Sequence, residues 1–220
     1  EFIQIYGLTE TTPLLTMNLN RAEYDGLNDA ERAAKLSRAG APALGVEMRV
    51  SPDGELLARG NHIMGGYWNQ PDATADAVHP ASDDPGGPEW FHTGDGGMID
   101  GDFYVTISDR KKDVIITGGE NVSSIEVEDA VFGHPDVAEV AVIGVPDEKW
   151  GELVMALVVT TPGSTLTEHD LIAYVKTKLA GYKCPKRIEF RESLARTATG
   201  KLQKFKLREP YWADLNRQVN

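Results

Sequence analysis

The stretch SDRKKDVIITGGENVSSIEVEDAVF, Ser108–Phe132, divides the chain into two kinds of text. Its opening run, Asp109-Arg110-Lys111-Lys112-Asp113, is a charged cluster without core-forming side chains, as expected where two separately packed regions meet. Val114–Thr117 then reads as a short strand closed by Gly118-Gly119. Ser123-Ser124-Ile125-Glu126 is a capping box, in which hydroxyl and carboxylate satisfy each other's backbone donors. A helix is therefore expected from about Ser124 to Phe132, stopped by Gly133-His134-Pro135.

Downstream, apolar runs at Val137–Val145 and Leu153–Thr160 predict two strands. A helix capped by Thr167 and Asp170 should then run through Leu171, Ile172, Val175 and Leu179 to a stop at Gly181. Upstream the pattern is β. GVEMRVSPDGELLARG alternates on both sides of Pro52-Asp53-Gly54, the chemistry of an antiparallel turn. Further turns are expected at Gly96-Gly97 and Asp100-Gly101-Asp102, with a strand from Phe103 to Ile107. His79–Pro88 reads as an exposed acidic loop, and Arg21–Arg38 as a peripheral loop and short helix. At the start, Phe2, Ile3 and Ile5 alternate like a buried strand that breaks at Gly7. The expected class is α+β. A small antiparallel, barrel-like β subdomain ends a first region, 1–108, and a compact α+β domain follows over 109–220.

At 220 residues, 41% hydrophobic and 25% charged, and with no apolar run near the roughly 18 residues needed to cross a bilayer, the chain reads as soluble and globular, with no transmembrane segment. Its single cysteine, Cys184, precludes an internal disulfide and suits a reducing, cytoplasmic setting. A net charge of −12 disfavours nucleic acid as a partner. Charge is unevenly spread, however: eleven Lys or Arg face two acids between Lys176 and Arg208. That segment is either a solvated helix face with a loop or a site for a polyphosphate. The chain begins at Glu1 without Met, which leaves open that an N-terminal portion has been removed.

Four polar clusters are candidates for chemistry. Thr9, Glu10, Thr11 and Thr12 follow Gly7 and are either the rim of a strand-to-loop junction or a ligand-facing end. In HTGDGG, Asp95 sits among glycines, either bonding its own turn or offering two oxygens to neighbouring hydroxyls. Arg110 and its neighbours form an anion clamp or a surface ion network. Lys201 lies in the hydroxyl-rich loop TATGKLQK, where a lone lysine is unremarkable.

Seven motifs in order, YGLTE, GELLARGNHIMGGYWNQPDAT, TGD, DRKKDVIITGGENVSSIEVE, VIGVPDEKWGE, LAGYKCPKRIEF and TGKLQK, resemble the adenylate-forming enzymes, most of all a fatty-acyl or medium-chain acyl-CoA synthetase. The resemblance covers nearly the whole chain. It implies a carboxylate, fatty or otherwise aliphatic, that attacks ATP to give an acyl-adenylate, followed by coenzyme A displacing AMP. It implies Glu10 on Mg²⁺, Thr9 on a phosphate oxygen, Tyr6 with Gly7 beside the adenine, and Asp95 with Arg110 on the ribose. Lys201 would neutralise charge during adenylation, acting as a catalytic group together with Thr9 and Glu10. The C-terminal domain would rotate about Asp109 to bring Gly118 and Gly119 to a pantetheine passage. The family's phosphate loop and most of its acyl pocket are absent from these residues, so the expected partner is the N-terminal remainder of the same enzyme, and the isolated chain should not adenylate. Ala195 stands where the family usually has Pro, and Phe103 where it often has Gly. A carrier-protein-loading enzyme and a non-catalytic nucleotide- or partner-binding module are the alternatives; homo-oligomerisation is left open.

Overall fold

A computed structural model describes residues 3–213 and divides the chain into two compact units, Glu1–Lys111 and Lys112–Asn220. The first unit contains β1 (Gln4–Tyr6), β2 (Thr16–Asn18), α1 (Asp29–Leu36), β3 (Ala41–Pro42), β4 (Val46–Val50), β5 (Glu55–Gly60), α2 (Pro71–Ala77), β6 (Val78–Pro80), β7 (Glu89–Ile99) and β8 (Val105–Arg110). The first three strands form a small antiparallel sheet in the order β1-β2-β3. A second sheet runs β4-β5-β7-β6, with β8 also paired to β7. It is an open sheet, so the antiparallel expectation holds but no barrel closes among the described residues. Alternation along β5 serves two cores: Leu56 and Ala58 pack with Tyr6, Leu15, Val46 and Val105, while Leu57 packs with Ala81 and Trp90 on the other side.

Several expectations for this unit are corrected. Phe2 lies outside the described residues, and Ile3 and Ile5 are exposed; the inward side chain of β1 is Tyr6. Gly96-Gly97 is not a turn but a bulge inside the eleven-residue β7, where a Cβ on Gly97 would come within 2.5 Å of the Thr106 carbonyl oxygen. The strand expected at Phe103–Ile107 starts at Val105, because Phe103 sits in the preceding turn at φ +64°. That left-handed backbone is the reason a glycine suits the position. The loop expected at His79–Pro88 begins within β6 and buries Ala81. Asp109 itself lies inside β8 opposite Gly96 and is only 2% exposed, close before the division between the units at Lys111 and Lys112.

The second unit contains β9 (Ile115–Thr117), β10 (Glu120–Val122), α3 (Ser124–Phe132), β11 (Val137–Asp147), β12 (Gly151–Thr160), α4 (Glu168–Lys176), β13 (Arg187–Phe190) and α5 (Lys204–Trp212). Its sheet runs β10-β9-β12-β11, with β13 parallel to β12. The near-continuous apolar text of β11 and β12 follows from burial on both faces. Val140, Val142, Val154, Ala156 and Val158 meet Val127 and Val131 of α3 and Leu171 and Val175 of α4. Ala141, Ile143, Val145, Met155 and Leu157 meet Leu207 of α5 and Leu194. The Ser123 half of the α3 cap forms, its Oγ accepting from the Glu126 amide at 3.2 Å, while the Glu126 carboxylate is engaged by Lys183 at 2.7 Å. The α4 helix ends at Lys176 rather than Gly181, with turns following. The elements α2, β6, β10, β13 and α5, and the pairing of β1 with β2 and β3, were not foreseen. In α5, Pro210 hid a helix by interrupting its text, yet it falls in the last turns, where one lost backbone bond is tolerable.

Candidate functional site

In the first unit, a strand pair delivers the two central charges. Asp95 on β7 lies directly opposite Arg110 on β8, and Arg110 Nε is 3.6 Å from Asp95 Oδ1. Tyr6, at the inward end of β1, donates its hydroxyl to Asp95 Oδ2 at 2.8 Å. Burial, reinforced by the hydroxyl's proximity to Asp95, pushes the Tyr6 phenol well above its ordinary range, so it stays a donor. The strand is tied to β5 beside Asp95: Thr93 Oγ1 donates to the Leu56 carbonyl at 2.7 Å and accepts from the Asp95 amide at 3.1 Å. Asp95 is thus a buried, oriented acceptor whose guanidinium neighbour is mostly in solvent.

The hydroxyl cluster after Gly7 separates into structural and outward members. Gly7 is required by close approach, since a Cβ there would lie 1.7 Å from the Pro13 carbonyl oxygen. Thr11 is buried and exchanges hydrogen bonds with the backbone of Leu8, and Thr12 Oγ1 donates to the His62 carbonyl at 2.5 Å. Thr9 is exposed on the 3₁₀ turn Thr9–Thr11. The Glu10 carboxylate accepts from Tyr67 Oη at 2.9 Å. Tyr67 also lines a cleft of about 550 Å³ together with Glu55, His92 and Gly94, so Glu10's partner and the residue before Asp95 face one opening. Among the described residues no group of three His, Cys, Asp or Glu could cage a metal. A lone half-exposed carboxylate still suits Mg²⁺, which is usually held by one or two carboxylates with phosphates and water.

In the second unit, Gly118 and Gly119 make the β9–β10 turn at φ +60° and +86°. They are not equivalent. A Cβ on Gly118 would meet the Trp150 indole at 2.8 Å, whereas one on Gly119 would meet nothing within 4 Å. Lys201 is exposed in a loop closed by Thr197, whose amide donates to the Lys201 carbonyl at 2.8 Å and whose hydroxyl accepts from the Lys201 amide at 3.1 Å. Arg196 holds that loop to β11: it bonds Glu139 at 2.6 Å and the Gly200 carbonyl at 2.7 Å. Much of the basic excess between Lys176 and Arg208 is paired, including Lys183–Glu126, Lys204–Glu128 and Arg208–Asp113.

Tyr6, Asp95 and Arg110 are therefore brought together, while Lys201, Gly118 and Gly119 lie in the other unit. Sequence reasoning gave Glu55, Tyr67, Trp150 and Arg196 no role. Only Glu55 carried a signal, as an acidic residue opening an apolar strand where burial would demand partners.

The AMP-binding enzyme family model matches residues 1–68, and the model of the AMP-binding enzyme C-terminal domain matches residues 126–201. The chain belongs to the AMP-binding, adenylate-forming enzymes. It is 38% identical to a feruloyl-CoA synthase of Amycolatopsis sp., with 96% of this chain and 41% of that protein covered, and 41% identical to the long-chain-fatty-acid–CoA ligase FadD13 of Mycobacterium tuberculosis, with 97% and 41% covered. Among solved structures, ATP-bound MatB from Rhodopseudomonas palustris superposes with a TM-score of 0.80 at 34% identity over 98% of this chain and 41% of that one. The chain thus spans 41% of the length of both curated relatives.

Proposed function

We propose that the protein to which this chain belongs is an ATP-dependent acid–thiol ligase, joining an aliphatic carboxylic acid to coenzyme A through an acyl-adenylate with release of pyrophosphate and AMP. The observation that carries the reading is the buried Asp95 carboxylate, fixed by Tyr6 and opposed by Arg110, in a chain of the adenylate-forming family. Two carboxylate oxygens match the vicinal hydroxyls of a ribose, each charge-assisted bond contributing roughly 1.5–3 kcal/mol. Tyr6 orients that acceptor, and Gly7 lets the following turn fold back close to it. Thr9, outward on its turn, reaches a phosphate oxygen, and Glu10 holds Mg²⁺, which would offset phosphate charge. Lys201 neutralises charge growing on the α-phosphate, a contribution confined to that transition state. Gly119, open and without a side chain, borders the pantetheine arm in the second step, when the unit from Lys112 onward has turned about the Asp109 region.

FadD13, named for a long-chain fatty acid, supports the aliphatic acid, and both relatives are named for CoA chemistry. ATP and coenzyme A are available in the cytoplasm, where we place the protein. No described helix is long and apolar enough to cross a membrane. The test uses the full-length enzyme with a panel of fatty acids. Lys201→Ala should lower ATP–pyrophosphate exchange by orders of magnitude while thioester formation from supplied acyl-adenylate stays within several-fold. Equal loss in both half-reactions would overturn the assignment.

A further inference from the structure

We propose that Glu55 is a positioning residue for the Asp95–Arg110 pair: one buried carboxylate that grips the residue before Asp95 and the residue after Arg110, holding the ribose acceptor in place. This rests on the reading of Asp95 given above. Glu55 opens β5, and its side chain is only 8% exposed. Its Oε1 accepts the Gly94 amide at 2.8 Å, and its Oε2 takes His92 Nδ1 and Lys111 Nζ, each at 3.2 Å. Three bonds to segments flanking the nucleotide pair converge on a single side chain.

The need for such a grip lies in the backbone. Gly94 has φ +72°, the β5–β7 register is interrupted between Glu55 and Leu57, and β7 bulges again between Gly96 and Gly97. Asp95 therefore sits on the least regular part of its strand, among glycines that impose little conformational preference. Glu55 supplies there, from a side chain, the acceptor that an interrupted ladder does not. His92 is held in turn by stacking on His79 at 3.6 Å, and its Nε2 is buried without a partner among the described residues. The ring is thus oriented by Glu55 at the cost of its other nitrogen. Lys111 is shared with Asp53 at 2.6 Å and closes the grip beyond Arg110. Burial raises the Glu55 carboxyl, but the Gly94 amide, His92 and Lys111 outweigh it and hold it below the usual carboxylate range, so the carboxylate form is the one bound.

The experiment titrates AMP and 2′-deoxy-AMP calorimetrically into the full-length enzyme and its Glu55→Gln, Asp95→Ala, Glu55→Gln/Asp95→Ala and Lys111→Met variants. Glu55→Gln keeps an acceptor for Gly94 but loses the charge that holds Lys111. It should weaken AMP roughly tenfold, about 1.4 kcal/mol, and shrink the preference for AMP over its deoxy analogue. In the Asp95→Ala background it should add little, because the two act through one contact. Lys111→Met, at a half-exposed position that does not endanger folding, should move the same preference in the same direction by a smaller factor. A parental preference in both Glu55→Gln and Lys111→Met, with only the melting temperature altered, would overturn the proposal while leaving Asp95's role intact. If Asp95→Ala itself keeps the parental preference, the ribose reading falls and this proposal falls with it.

Discussion

Replacing Tyr6 by Phe removes one hydroxyl and nothing else from a packed position. The ring is 8% exposed and its oxygen lies 2.8 Å from Asp95 Oδ2. A hydrogen bond to a charged acceptor is worth roughly 1.5–3 kcal/mol, and the variant leaves that oxygen of a buried carboxylate without this donor. The restraint from Arg110 is weaker. Arg110 sits at 3.6 Å with its side chain 58% exposed, in the class of surface pairs worth about 0–1 kcal/mol. Tyr6→Phe should therefore lower the unfolding free energy by roughly 1.5–3 kcal/mol, and Arg110→Ala by less than about 1 kcal/mol. Urea denaturation of the full-length protein reads both, as a shift in midpoint at unchanged slope. Nucleotide titration reads the second consequence, a several-fold weaker AMP and a smaller penalty for 2′-deoxy-AMP. A Tyr6→Phe midpoint equal to the parent, or a larger loss from Arg110→Ala than from Tyr6→Phe, would refute the assignment of Tyr6 as a stronger restraint on Asp95 than Arg110.

The two turn glycines should part company: Gly118→Ala meets the Trp150 indole and should lower the melting temperature more than Gly119→Ala, which carries only the left-handed cost of about 1–2 kcal/mol. Gly119→Leu should then keep pyrophosphate exchange and lose thioester formation, and a variant making acyl-CoA at the parental rate would count against the passage. Arg196→Ala should change unfolding by less than about 1 kcal/mol, since its pair with Glu139 is well exposed, yet depress the Lys201-dependent half-reaction by loosening the loop at Gly200. Unchanged exchange kinetics would deny Arg196 that role. Because Glu55 has a folded-state pKa below the unfolded value of about 4.3, its stabilisation is fully present above that pH and is lost as pH falls through the lower folded value. Urea midpoints between about pH 3 and 7 should thus drop less steeply on the acid side for Glu55→Gln than for the parent; parallel curves would show that the carboxylate is not preferentially bound in the native state.

Periodicity and capping chemistry made α3 and the two central strands of the second unit legible in advance. The boundaries of α3 follow from Ser123 and Gly133, because caps are local interactions between residues a few positions apart. The two central strands were legible because a sheet covered on both faces demands unbroken apolar text. Motif order likewise pointed to the family and to Asp95, Arg110 and Lys201 as candidates. Long-range contacts were not legible. Nothing local indicates that Tyr6 bonds a carboxylate 89 positions away, that Glu55 joins Gly94 to Lys111, or that Trp150 occupies the space over Gly118 while Gly119 stays open. Nor does the charged text around Asp109 reveal that this residue is buried inside a strand. Each of these depends on which segments the sheet brings side by side. Residue types and spacing along the chain constrain local conformation strongly, but leave open which distant partner desolvates a charge or fills the space beside a glycine.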